Sequence, residues 1–380
     1  MAGSIHGGRF WSIVQNDLDR LDSVVRADVL DAWFPPPPEV LAALRHYDVE
    51  LCRTSPEAEA LPLRAAIGEA RGIPPESIVT GAGSSALIYL ALPFFGAKAQ
   101  SALILDPMYG EYRHVLENLC QLPVHTLDLD PRDGYRLQPE RFLEAPGDCI
   151  ALVNPNSPTG SHVPRLSLEP IVRELAKTRV VWIDETYIDY AGTGESLESM
   201  ASENPNVIVC KSMSKVYALS GLRCAYLVSH PDRTAQIVRY RPPWAVSLPA
   251  QVCGSLALRA GNYYESRYEE TARLRQNLRL RLEEIGLEVT EGVINALLVH
   301  LPPDGPSASG LAGLAEGHGI YLRDAASMGA SMGTHTLRVS VRGEQENVRI
   351  ADTIRMCTEA TSASLPKPLE PPIGCRSSTR

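Results

Sequence analysis

Along residues 12 to 26, Val14, Leu18, Leu21 and Val25 recur at helical spacing, so the chain opens on an amphipathic helix whose apolar face must dock. Trp33 and Phe34 follow, and then Pro35 to Pro38, a stiff extended arm before a helix that starts at Pro38-Glu39 and runs through Leu44. Two adjacent large aromatics suit an arm lying along a surface, a partner subunit among the candidates; a solvent-exposed linker is the alternative. Pro62 to Arg71 reads as a helix and Ser77 to Thr80 as a short strand. Beyond them, short continuous apolar runs alternate with helical stretches. Ser101 to Leu105, Cys149 to Val153 and Arg179 to Ile183 are strands of the kind buried in parallel sheets, and two further runs lie within Val207 to Ser229. A helix near Leu168 to Lys177 separates two of them.

The rhythm changes in the last third. After an apolar helix around Pro249 to Leu258, Leu274, Leu278, Leu282 and Ile285 form one stripe of a longer helix whose other faces are charged. From Gly286 the order is strand, strand, helix, strand, helix, which describes a smaller α+β domain reaching about Ala360. The tail from Ser362, rich in Pro, Ser and Lys, has no periodicity and is expected to be disordered. The expected division is an arm over 1–45, a large domain over 46–285, a small domain over 286–360 and a tail over 361–380. No internal repeat is evident.

Bulk properties narrow the partners. A length of 380 residues suffices for two domains, and 44% apolar with 21% charged residues is ordinary for a soluble protein. A net charge of -9 argues against a nucleic-acid surface, so any phosphate bound belongs to a small molecule in a local positive site. The eight cysteines contain no CxxC pair and read as reduced thiols, and no metal site is expected. No apolar run reaches membrane-spanning length and the first residues lack the pattern of a signal peptide, so the expected location is cytoplasmic.

Chemistry concentrates where apolar runs end. Between the two runs of Val207 to Ser229 stands Lys211-Ser-Met-Ser-Lys215, closing on Gly221-Leu222-Arg223. Burial disfavours the charged form of a lysine and prepares an amine to form a Schiff base, for which Lys215 is the candidate. Ser212 and Arg223 supply a hydroxyl and a fixed cation suited to a phosphate. Gly81-Ala-Gly83-Ser84-Ser85 lies between an apolar strand and an apolar helix, where backbone N–H groups and the helix dipole converge on an anion; the third glycine of the dinucleotide fingerprint is absent. Tyr109 and Tyr112 follow a strand end, where one ring could stack on a planar group or pack on a helix. Asn154-Pro-Asn156-Ser-Pro-Thr-Gly160 is an irregular turn in which an amide can donate to a phenolate oxygen. Asp184 ends a strand so apolar that it needs a partner: a protonated pyridine nitrogen, an arginine or a helix N-terminus. Arg338 lies on an alternating strand, either on the surface or clamping a substrate carboxylate, and Arg323 is a second candidate anion contact.

In combination and order, from about residue 28 to 355, these motifs resemble the fold-type I pyridoxal-phosphate enzymes of the class I/II aminotransferase group. The nearest look is to the histidinol-phosphate aminotransferase and threonine-phosphate decarboxylase branch. The resemblance implies an α/β fold: a large domain with a mainly parallel seven-stranded sheet covered by helices, and a smaller α+β domain. It implies that Lys215 forms the Schiff base with pyridoxal 5'-phosphate, and that Ser212, Arg223, Gly83, Ser84 and Ser85 hold the phosphate. By the same resemblance Asp184 pairs with the pyridine nitrogen, Tyr187 stands near the phenolic oxygen with Asn156, Tyr112 stacks on the ring, and Arg338 receives the substrate carboxylate; Arg323 and Trp33 are further candidate substrate contacts. A homodimer is implied as well.

The sequence also departs from that pattern. Ser157 stands where a second asparagine commonly precedes Pro-Thr-Gly, and Ala82 and Ser85 replace an asparagine and an acid. Cys52-Arg-Thr-Ser-Pro56 lacks a tyrosine, and Asp31-Ala32-Trp33-Phe34 replaces an Asn-Glu-x-Pro motif. Because these last regions shape substrate choice, an aminotransferase of specialised biosynthesis, acting on an amino acid or phosphorylated amino substrate, is the leading expectation. A lyase, decarboxylase or replacing or cyclising enzyme with the same cofactor is the alternative. A non-catalytic ligand-binding domain is the remote one.

Overall fold

The structure, a computed structural model, describes residues 7–15 and 17–364. Seven strands make the larger sheet: β1 Ile78–Gly81, β2 Ala102–Asp106, β3 Val124–Asp128, β4 Cys149–Val153, β5 Val180–Asp184, β6 Val207–Ser212 and β7 Ala225–Val228. Their order is β1-β7-β6-β5-β4-β2-β3. All neighbours are parallel except β7, which runs antiparallel to both β6 and β1. The reversal follows from the connections: helices carry the chain between the parallel strands, whereas the short segment from Met213 to Cys224 folds straight back. Strands β4 and β6 are buried along their whole length, and β4 and the first four residues of β6 read as unbroken apolar runs; the edge strand β3 is largely exposed and more polar.

The second sheet is antiparallel. It comprises β8 Glu288–Thr290, β9 Ala296–His300, β10 Arg323–Asp324 and β11 Thr336–Ser340, in the order β10-β11-β9-β8. Its own core includes Leu297, Val299, Leu311, Leu337, Val339 and Ile354. The helix Gly261–Glu284 joins the two cores. Tyr264, near its start, is buried in the first and Leu278 and Leu282, near its end, in the second. The last helix runs Glu344–Ser364; the rest of the expected disordered tail, 365–380, lies outside the described residues.

The expected N-terminal helix does not form as one element. Trp11–Val14 is a single turn that ends where Gln15 takes φ 52, a 3-10 turn covers Leu18–Ser23, and Val25–Arg26 is a strand paired in parallel with Ile320–Tyr321. The two β-branched residues Val24 and Val25 favour that pairing, and burial with Tyr321 and Ile320 overrides the helical spacing.

After this strand the chain forms a strap. Ala27 O accepts from Ser340 N, Asp28 O from Arg338 Nη2, Val29 O from Ser340 Oγ, Leu30 O from Asn295 Nδ2 and Asp31 O from Arg342 Nη1. Five consecutive carbonyls are thus fastened to the smaller sheet and its flanks. The arm then turns onto the core of the larger sheet, with Phe34 and Val40 buried in it and a helix at Pro38–His46. Among the described residues no helix is long and apolar enough to cross a membrane.

Candidate active site

A cavity of about 870 Å³ opens over the carboxyl ends of β1, β4, β5 and β6, roofed by the strap, the start of the helix Glu111–His114, and the turns at Ala326–Ala330. Ligands of open α/β sheets bind at this end because the strands deliver polar residues there and helices begin there.

One wall of it is built for an anion. Ser84 and Ser85 open the thirteen-residue helix Ser84–Gly96, whose first N–H groups have no intrahelical acceptor, and both line the cavity. Gly83 takes φ +90, and a Cβ there would collide with the guanidinium of Arg223. Arg223 sits in the left-handed region at φ 57, and its Nη1 donates to Ser220 O at 3.1 Å and Ser214 Oγ at 3.3 Å. The guanidinium is therefore held in place before any ligand arrives. Ser212 and Ser214 complete this wall.

Beyond it the wall turns acidic. Asp184, at the end of β5, is buried; its Oδ1 accepts from Thr186 N at 2.9 Å and its Oδ2 from the Tyr112 hydroxyl at 2.7 Å. Burial pushes its pKa up, against the donors that favour the carboxylate. With the Thr186 hydroxyl as a third donor, the carboxylate retains a lone pair for a donor from the cavity that Asp184 lines. Lys215 stands on the same cavity. Its side chain is partly exposed, and the desolvated amine expected between strands is instead met by a carboxylate: Nζ lies 2.8 Å from Asp31 Oδ1. Asp31 also accepts from Ser220 Oγ at 2.6 Å. Burial alone would raise Asp31, but Lys215 and Ser220 outweigh it and hold the carboxyl below its usual range.

The smaller sheet supplies two guanidiniums. Arg323 and Arg338 are register partners across β10 and β11, both are buried, and both line the cavity. Arg338 donates through Nη2 to Asp28 O at 2.9 Å, and its Nε has no partner among the described residues. Burial lowers Arg338 to about 10, partly opposed by Tyr187. Tyr187 lines the cavity with its hydroxyl hydrogen-bonded by Ser157, and burial pushes that hydroxyl well up.

Three expected contacts lie elsewhere. Tyr112 is fully buried behind Asp184, with Trp182 Nε1 donating to its hydroxyl at 3.0 Å, so it supports the carboxylate and cannot stack on a ligand. Tyr109 is the ring at the cavity, bonded to Ser85 and packed edge-on to Tyr112 at 6.2 Å. Asn156 does not reach the cavity: its Nδ2 donates to Pro107 O at 3.0 Å and Thr159 Oγ1 at 3.1 Å, which braces the turn, and Ser157 takes the cavity position. Trp33 is also absent from the lining, because its indole N–H donates to Thr271 Oγ1 at 2.8 Å and its ring packs on Phe34. Gly83 contributes room for Arg223 rather than a wall.

Sequence reasoning passed over Ser214, Ser220 and the pairing of Asp31. Beneath the floor, it also missed a buried charge cluster in which Lys211 faces Asp189 at 3.5 Å and both Glu185 and Glu198 at 3.9 Å. Arg71 closes that cluster at 2.9 Å from Asp189. Among the described residues no group of three or more His, Cys, Asp or Glu side chains is placed to hold a metal.

A prepared anion wall, a buried carboxylate and an amine around one cavity fit a flat group that carries a phosphate and a basic ring nitrogen. Comparison with known proteins bears on the same point. The family model for aminotransferase class I and II matches residues 29–353. The histidinol-phosphate aminotransferase of Desulfitobacterium hafniense (strain Y51) is 32% identical over 246 residues, 63% of this chain and 67% of that one. Among solved structures, the histidinol-phosphate aminotransferase of Clostridium acetobutylicum superposes with a TM-score of 0.79 at 19% identity, over 88% of this chain and 99% of that one. The L-threonine-O-3-phosphate decarboxylase of Porphyromonas gingivalis gives 0.76 at 20% identity, over 88% and 99%. Because the family match spans both sheets and every strand that borders the cavity, the chain belongs to the aminotransferases of class I and II, enzymes that work through pyridoxal phosphate.

Proposed function

We propose that the cavity holds pyridoxal phosphate between the two sheets and that the enzyme moves an amino group to and from a small substrate carrying a phosphate or carboxylate. Ser84, Ser85, Ser212, Ser214 and Arg223 would hold the cofactor phosphate. Asp184 would meet the ring nitrogen, Tyr109 the ring face, and Tyr187 with Ser157 the phenolic oxygen. When bound, the cofactor supplies an electron sink for the bonds at a substrate's α-carbon. The chain supplies the rest. Asp184 is a fixed acceptor braced by Tyr112 and Thr186, and Lys215 is the amine that carries the proton at the substrate's α-carbon.

The observation that carries the substrate class is the pair Arg323 and Arg338 in the wall from the smaller sheet. Two planar cations on one ladder rung suit a dianionic or bidentate handle, which they bind through charge-assisted hydrogen bonds. The relatives are named for histidinol phosphate, a phosphorylated amine. Here Ser157 and Asp31-Ala32-Trp33-Phe34 favour a related substrate of specialised biosynthesis. We read the enzyme as a cytoplasmic homodimer. Leu61 and Trp244 leave large apolar groups exposed on segments joined by the bond from Trp244 N to Ala58 O, and a second copy would cover them. Light scattering that returned only monomer at working concentration would count against that part.

The test of the reaction is to mix the yellow protein with a panel of amino acids and phosphorylated amines, following the cofactor spectrum and the products by mass. Loss of the yellow band with release of a 2-oxo product or an aldehyde, reversed by adding a 2-oxo acid, is the expected result. Release of carbon dioxide or of a side-chain fragment would move the enzyme to the lyase class.

A further inference from the structure

Lys215 exists in two conditions during any amino-group transfer: joined to a carbonyl, and free. In the structure its nitrogen meets a carboxylate. Asp31 Oδ1 lies 2.8 Å from Nζ, although the two residues are 184 positions apart in the chain. The carboxylate is itself fixed from both sides. Ser220, in the same connection between β6 and β7 as Lys215, has its hydroxyl 2.6 Å from Asp31 Oδ1 and 3.0 Å from Ser214 O, one proton shared between two acceptors. Its backbone carbonyl is held by Arg342, at the end of a strap whose four preceding carbonyls are also fastened to the smaller sheet and its flanks. A carboxylate with its backbone tied to one domain and its side chain tied to the other is placed, not incidental.

We propose that Asp31 is the positioning residue for Lys215: it receives the ammonium whenever the lysine is free, keeps it at the cavity wall, and so limits how fast the lysine retakes the carbonyl from substrate. This rests on the reading of Lys215 as the Schiff-base lysine. Because Asp31 travels with the strap, the ion pair also ties the state of the lysine to the smaller sheet that carries Arg323 and Arg338. A substrate whose anion engages those arginines therefore acts on the same body that holds the freed lysine.

The chain contains its own controls for a test by competitive acylation of lysines, mapped by peptide mass on the full-length, cofactor-free protein. Lys177 is exposed and reports the reagent, while Lys211 is buried in its acidic cluster and reports the integrity of the fold. In Asp31→Asn the rate at Lys215 rises about two- to fivefold, the weight of a partly exposed charge pair, with Lys177 unchanged and Lys211 still protected. Ser220→Ala, which leaves Asp31 in place but removes one of its donors, gives a smaller rise in the same direction. Should Lys211 become reactive in Asp31→Asn, the fold has loosened and Ser220→Ala decides. In the holoenzyme, Asp31→Asn needs about two- to fivefold more amine substrate to remove half the yellow colour, because an unheld lysine competes better for the carbonyl. An unchanged Lys215 rate in both variants overturns the proposal. Failure of the underlying reading looks different: Lys215→Ala would then keep its yellow colour whatever the acylation rates show.

Discussion

The floor of the cavity and its wall are made in different ways. The floor comes from the large sheet, where largely apolar strands deliver polar residues at or just after their ends: Ser84 and Ser85 after β1, Asp184 at the end of β5, Ser212 at the end of β6 with Ser214 and Lys215 just after it. The wall that faces a substrate is assembled from the strap, the turns at Ala326–Ala330, and Arg323 and Arg338, segments far apart in sequence that meet only when the smaller sheet forms. A floor made of strand ends is fixed by the core beneath it and suits chemistry that must not vary. A wall made of loops and a separate small sheet can change without disturbing that core, which suits the choice of substrate.

The largest effect tests the floor. Lys215→Ala should lose the yellow colour and lower turnover by roughly 10²–10⁴-fold, the contribution of a positioned proton-transfer group, with the melting temperature nearly unchanged. Comparable turnover in that variant would place the reacting amine elsewhere. Next comes the wall. Arg338→Ala should raise KM for an anionic substrate roughly ten- to a hundredfold, the weight of a charge-assisted pair of hydrogen bonds, while the colour and its retention stay as they are. Arg338→Lys should not restore it, because an ammonium cannot present two parallel donors. If instead Arg338→Ala lowers kcat and leaves KM alone, the division between floor and wall fails at this residue.

How far each part can be read from the sequence follows from the same difference. The strands of the large sheet and the residues at their ends are local signals: a continuous apolar run, then Gly, Ser, Asp or Lys. Lys215, Asp184 and Arg223 all stand out in this way, and the structure places all three on one cavity. Contacts between distant segments leave no such mark. Nothing near Asp31 points to Lys215, and nothing near Trp33 points to Thr271, which takes its indole proton. The choice between Tyr109 and Tyr112 turns on helix phase: the helix starts at Glu111, so Tyr109 lies in the loop before it and faces the cavity while Tyr112 points back toward Asp184 and Trp182. At the N-terminus the spacing is helical, but Val25 and Arg26 find a strand partner in Ile320–Tyr321, which no local pattern announces.

The two tyrosines sharpen where the floor ends. Tyr112→Phe removes one donor from a buried carboxylate and should cost about 1–3 kcal/mol of stability, read as a lower melting temperature with the cofactor still bound. Tyr109→Ala should do the reverse, leaving stability close to native and weakening cofactor retention about fivefold, as loss of one aromatic contact of about 1 kcal/mol predicts. Equal effects on retention from both variants would mean that the ring behind Asp184 and the ring before it are not separable.

The smallest effect lies beneath the floor and has a sign set by linkage. Burial pushes Glu185 from an ordinary value of 4.5 up to about 7; Glu198 adds to the rise, and Lys211, Ser196 and the Leu197 amide oppose it. For an acid raised on folding, the native state keeps a proton that the unfolded chain has already released. Unfolding therefore releases that proton throughout the window between 4.5 and about 7, and stability falls as pH rises through it, then levels off above. Glu185→Gln keeps an oxygen to accept from the Leu197 amide and presents an NH2 that can donate to the Ser196 hydroxyl, but cannot titrate. Between pH 6 and pH 8 the native protein should lose about 1 kcal/mol more than this variant, a difference of about 2 °C in melting temperature. Parallel curves for the two proteins would show that Glu185 is already ionised in the folded state and that Lys211 and Arg71 hold the cluster without a bound proton. The floor would then rest on a fully charged cluster of two cations and three acids, one negative charge in excess, directly under the aspartate that must stay an acceptor.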